Sequence, residues 1–181
     1  MVEVNRNEIN GAQIGSIRLR ALMRYWNEKR GSRPMPLRLQ IDPIEIPNAL
    51  PIVLLAEITP AGPRMRLLGT EATNAYGQET RGHLVHQIQF GEFDVTWQDA
   101  FVRATQSAMP VIAAGTYSRG TEICRVETLL LPLTVDGHSV NQIFGGLVIR
   151  PLAHEAAIER KRQLFFDLPG AGAIASRRAE Q

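Results

Sequence analysis

The sequence predicts an α+β domain: a five-stranded antiparallel sheet with helices on one face and a further helix flanking it at the N-terminal end. Three observations lead there. Apolar residues recur at helical spacing over 16–30 and over 94–108. Five strand-length apolar runs are separated by turn residues. Their order is two strands, short helices, one longer helix and then three strands, which suits hairpin-paired strands better than βαβ units.

A chain of 181 residues, 44% hydrophobic and 21% charged, has length for one core plus loose ends. Residues 1–15 are polar with glycines at 11 and 15 and read as a flexible arm, ahead of a domain over 16–150 and a C-terminal helix and tail over 151–181. Ser16 is placed to cap the first helix. In it Leu19, Leu22, Met23 and Trp26 fall at i, i+3, i+4 and i+7, opposite Arg20, Arg24, Asn27 and Glu28, and Gly31 ends it. The helices between the strands cover one sheet face, so this leading helix is expected on the other, within the chain or across a dimer. Leu19, Leu22, Met23 and Trp26 are therefore the dimer-helix candidates.

"SRPMPLRLQIDPIEIPNALP" holds five prolines in twenty residues and reads as an extended connector. "IVLLAEI" (52–58) and "RMRLLG" (64–69) flank "TPAGP" as a hairpin. Gly69 then ends the strand, Thr70 is placed to cap a short helix over 71–76, Gly77 to stop it, and Gly82 to mark a further break. Asp94 is placed to cap the longer helix, with Trp97, Phe101, Ala104 and Ala108 on one stripe and Pro110 closing it. Strands follow at 111–117, 122–133 and 140–149, the last two joined through Asp136-Gly137, a tight-turn pair. Gly145-Gly146 suggests a bulge or a close approach by another segment. The tail carries an expected helix over 152–166.

The charges exclude more than they indicate. Twenty basic residues against eighteen acidic make no basic stripe, so nucleic acid is not an expected partner. The one cysteine, Cys124, forbids an intramolecular disulfide, and with no signal-peptide core and no run long enough to span a bilayer, a cytoplasmic chain without membrane insertion is expected. "GAGAIA" at 170–175 has the glycine spacing of a dinucleotide fingerprint but lacks the strand and helix that make it work.

No catalytic or metal set emerges. His83 and His86 are spaced for one helical face, but no cysteine or carboxylate set accompanies them, and His138 and His154 read as exposed. The serines at 107, 118, 139 and 176 stand in no nucleophile elbow. Cys124 alternates with Val126 and Thr128 as a small core residue. Arg125 and Glu127 share the opposite face, as a local ion pair or, more sharply, a ligand-facing pair. Trp97, Phe101 and Phe144, with Tyr76 and Val126, are the residues that would line a ligand cavity; aromatic residues at such spacing ordinarily form core.

"LMRYWNEKRGSRPMPLRLQIDPIEIPNALPIVLLAEI", "RMRLLGTEATNAYGQETRG" and "RVETLLLPL" together resemble a bacterial family of stand-alone PAS-like domains, over about residues 20 to 150. The resemblance implies the PAS fold, with Gly69, Thr70, Gly77 and Gly82 as structural turn residues and no catalytic residue. It also implies a sensor or protein-interaction module in signalling, with a small-molecule ligand or a partner, and often a homodimer. It brings no particular cofactor: the flavin-type cysteine is missing from the helices, and the long helix has no axial histidine for haem. A stand-alone module is expected, with no kinase, cyclase or DNA-binding segment beside the region. A structural adaptor without ligand is the alternative, and an enzyme using His83 or His86 as base a remoter one.

Overall fold

The computed structural model describes residues 14–152. Helix α1 (Ile17–Arg30) is followed by single 3-10 turns at Arg38–Gln40, Pro43–Glu45 and Leu50–Ile52, then β1 (Val53–Thr59), β2 (Gly62–Leu68) and α2 (Thr70–Tyr76). Two more 3-10 turns, Val85–Gln87 and Gly91–Phe93, lead into α3 (Asp94–Ser107), β3 (Val111–Arg119), β4 (Glu122–Leu133) and β5 (Gln142–Pro151). The strands form one antiparallel sheet in the order β2-β1-β5-β4-β3. The five-stranded α+β expectation holds.

The last strand lies at the centre of that sheet, which explains its composition. β5 is buried on both faces from Ile143 to Ile149, as is β4 from Val126 to Leu133. A strand covered on both sides must be apolar at every position, so "TLLLPL" and "IFGGLVI" lose the polar half of the usual alternation.

Two cores result, one on each face. Leu54, Ala56, Met65, Cys124, Val126, Leu130, Ile143 and Leu147 meet α2, α3 and the turns between them. Val53, Leu129, Leu131, Leu133, Phe144 and Val148 meet α1 and the proline-rich connector. α1 turns Leu19, Leu22, Met23, Tyr25 and Trp26 onto this second face. A Cβ on Gly146 would lie 2.6 Å from Leu19 Cδ2 and 2.9 Å from Leu22 Cδ1. The glycine pair thus marks a close approach. The sheet's bulge lies elsewhere, at Leu55/Ala56 in the β1–β2 ladder.

The connector is held by side chains of α1. The Tyr25 hydroxyl donates to Glu45 Oε2 at 2.7 Å and accepts from the Asp42 N–H at 2.8 Å. Burial, then the Glu45 contact, pushes the Tyr25 phenol up to about 12. Lys29 Nζ reaches Glu45 at 2.7 Å.

Several local expectations change. The hairpin strands run further into "TPAGP", with Thr59 opposite Gly62, and Pro63 is accommodated because β2 is an edge strand. Thr70 and Asp94 are first helical residues; neither caps its helix. Ser16 does stand at the N-cap, but its hydroxyl makes no cap bond. Ala108 leaves α3 in a left-handed conformation. Between β4 and β5 there is a loop rather than a two-residue turn: Asp136 Oδ1 accepts the N–H groups of His138 and Ser139 at 2.8 Å each and the Thr134 hydroxyl at 2.9 Å. Ile14 and Gly15, assigned to the arm, are fixed against the sheet. Residues 1–13, the expected tail helix and His154 lie outside the described residues.

Candidate functional site

The layer between α2, α3 and the sheet is built from aromatic side chains. Phe90 is its hub, with ring centroids 4.6 Å from Tyr76, 5.1 Å from Trp97, 5.6 Å from Tyr117 and 6.2 Å from Phe93. Trp97 continues the column to Phe101 at 5.0 Å, edge to face. Offset and edge contacts of this kind add about 0.5–1.5 kcal/mol per pair to the burial of the rings.

Local sequence explains the positions. Phe90, Phe93, Trp97 and Phe101 follow one another at intervals of three, four and four, so the α3 stripe begins upstream, in the 3-10 turn. The Asp94 carboxylate accepts the Phe90 N–H and holds that turn. Phe93 packs against β3: a Cβ on Gly115 would stand 2.6 Å from its Cδ2. Tyr76, the last residue of α2, accepts the Gln89 N–H at 3.1 Å, and burial raises its phenol pKa.

Buried polar atoms here are left unmatched among the described residues. Trp97 is fully buried, and its indole Nε1–H meets no acceptor among the described residues. The Thr80 hydroxyl is likewise buried without a partner. A buried donor without an acceptor costs about 1–3 kcal/mol, so native proteins usually satisfy it with protein, water or ligand.

Of the five cavity candidates, Trp97, Phe101, Val126 and Tyr76 do lie in this layer. Phe144 does not. It faces α1 and meets the Tyr25 ring at 6.5 Å, because its neighbours Ile143 and Gly145 take the other face. Phe90, Phe93 and Tyr117 were missed. The 3-4-4 spacing points to the two phenylalanines, but a helix capped at Asp94 begins its stripe at Trp97 and leaves them out.

The dimer-helix candidates have a different place from that expected across a dimer. Leu19, Leu22, Met23 and Trp26 are buried against the sheet of their own chain, and the outer face of α1 carries Ile17, Arg24, Asn27 and Glu28. The turn residues divide by cause. Gly69 is required by close approach, since a Cβ there would lie 2.4 Å from the Pro51 carbonyl oxygen. Gly77 ends α2 with a left-handed φ of 88°.

Charged and polar candidates resolve simply. His83, His86 and His138 are exposed, the first two on a loop and a single 3-10 turn rather than one helical face. Among the described residues no three His, Cys, Asp or Glu side chains gather at one point. Cys124 is buried, its thiol 3.8 Å from Glu122 Oε2. Arg125 and Glu127 do not form the local ion pair: the Glu127 carboxylate turns to the backbone N–H groups of Gly15 and Ser16. Among the described residues no helix is long and apolar enough to cross a membrane.

No curated protein matches the chain. Among solved structures, the PAS domain of Bordetella pertussis BvgS is similar, at 12% identity and a TM-score of 0.49, over 66% of this chain and 90% of that one. A family model described as PAS domain matches residues 15–148, from the start of α1 into β5. With most of its length in that match, the chain belongs to the PAS domain family, whose members are signalling sensor and interaction modules.

Proposed function

We propose that this protein is a cytoplasmic, non-enzymatic sensor or interaction module of bacterial signalling. A small molecule or partner engaging the aromatic layer shifts the packing of the helices and changes a surface that other proteins meet. The observation that carries the ligand reading is the Trp97 indole N–H, a donor buried among Phe90, Phe93 and Phe101 with no acceptor among the described residues. An apolar pocket with one or two polar groups to orient its occupant is the usual form of a small-molecule site. A planar, mostly apolar molecule with one acceptor atom fits that description.

A homodimer belongs to the same reading. Its contact would then fall on exposed residues, because Leu19, Leu22, Met23 and Trp26 are occupied within the chain.

Native mass spectrometry of the purified protein, with its absorption spectrum, tests the proposal. Extra mass on the folded chain, or a chromophore band, is the expected result. A bare chain that gains no thermal stability from any member of a small aromatic ligand library favours the structural adaptor, whose core is simply filled.

A further inference from the structure

Glu127 is a carboxylate on β4, only 8% exposed, with no cation among the described residues in salt-bridge contact. Its charge is met by backbone instead. Oε1 accepts the Gly15 N–H at 2.6 Å and Oε2 the Ser16 N–H at 3.0 Å, where the chain enters α1. Arg20 closes the same turn from the other side, Nη1 donating to the Ile14 and Gly15 carbonyls. There is no slack in the contact: a Cβ on Gly15 would stand 3.1 Å from Glu127 Oε2.

We propose that Glu127 is a latch for the first turn of α1, holding it in one of two positions on the sheet. Each side of the contact needs the other. The start of a helix leaves N–H donors without intrahelical partners and carries partial positive charge, which a carboxylate satisfies. A buried carboxylate, in turn, is costly unless it is hydrogen-bonded. A small displacement of the turn would leave both unpaired and buried, so intermediate positions are unfavourable.

A fully displaced position is different, because of where Glu127 sits. It lies at the boundary between the covered and open parts of the α1 face. On that face Arg125, Ile123, Ala114, Thr116 and Ser118, further along β4 and β3, are exposed. Once the turn lifts, water enters from that side and hydrates the carboxylate. Two positions, latched and released, are thereby favoured over any between them.

A second contact ties the same turn to the aromatic layer. Arg18, one residue into α1, makes a two-pronged bond to Glu71 on α2. α2 ends in Tyr76, which packs on Phe90 and stands 6.3 Å from Tyr117. A rearrangement of the layer that moves α2 therefore pulls on the turn that Glu127 holds. The inference rests on the reading of the protein as a sensor and names the part of α1 that responds.

Hydrogen–deuterium exchange on the full chain, with no ligand added, tests the latch in Glu127→Gln and, from the other side of the contact, Gly15→Ala. Both variants should speed exchange of the amides of residues 15 and 16, where the chain enters α1, by about tenfold or more, the ratio that loss of one charge-assisted hydrogen bond gives. Exchange in the β4 and β5 ladder should stay unchanged. Unaltered exchange at those two amides would overturn the latch, and so would equal acceleration throughout the sheet, which would make Glu127 a general support of the core. Because no ligand enters, this outcome is independent of whether native mass finds one.

Discussion

The indole N–H of Trp26 donates to the Pro132 carbonyl at 2.8 Å, joining α1 to β4 across 106 residues of sequence. Pro132 lies inside the sheet, so this bond, with the burial of Leu19 and Leu22 over Gly146, makes α1 part of the core of its own chain.

Charged replacements on that face should therefore unfold the domain. Leu22→Asp places an unpaired carboxylate in a fully buried site, and a loss of more than about 4 kcal/mol is expected in urea titration. A Leu22→Asp chain that keeps its native circular dichroism and urea midpoint would contradict the placement of α1.

The approach of α1 to β5 has a second consequence. Gly146→Val leaves no room for Leu19 and Leu22, and a cost of about 1–3 kcal/mol is expected, the usual range for overpacking. The same change with Leu19→Ala and Leu22→Ala should cost less than the sum of the separate effects. Simple additivity in thermal melts would place the strain elsewhere.

Trp97→Phe keeps the edge-to-face column and removes the unmatched donor. In the ligand-free protein the change in stability should be within about 1 kcal/mol, because no hydrogen bond to a described residue is lost. Any small molecule held by Trp97 in the native protein should be lost or weakened by about tenfold, as read by native mass or calorimetry. Undiminished binding would remove Trp97 from the site.

Asp136 makes the β4–β5 loop sensitive to acid. The backbone N–H groups of His138 and Ser139, then the Thr134 hydroxyl, hold its carboxyl far below the ordinary carboxylate range. A depressed folded-state pKa stabilises the fold above the unfolded value, and that contribution fades as pH falls from about 4 towards the folded value. Carbon-detected NMR should find Asp136 among the last carboxylates to titrate, and Asp136→Asn should flatten the acid limb of the stability profile.

Phe144 shows where legibility stopped at the site. Alternation along β5 says that Phe144 and Ile143 point to opposite faces, but not which face meets α3 and which meets α1. Phe90 shows the opposite case. Its interval to Phe93 and Trp97 was present in the sequence, but a helix started at Asp94 leaves it out, because the stripe begins in a 3-10 turn before the α-helix proper. Glu127 lay beyond local reasoning altogether, since its partners are 112 and 111 residues away.

The sequence by itself determined the number and order of the strands, the two long helices, the buried stripe of α1 and the resemblance to PAS domains. The resemblance rests on the three quoted stretches; the rest comes from periodicity and turn chemistry, which act between near neighbours. Only the tertiary structure decided that β5 enters the middle of the sheet, that α1 covers its own chain, and that a carboxylate on β4 meets the start of α1. Those are contacts between distant segments, and the pairing of strands across the sheet chooses them; no local pattern encodes that choice.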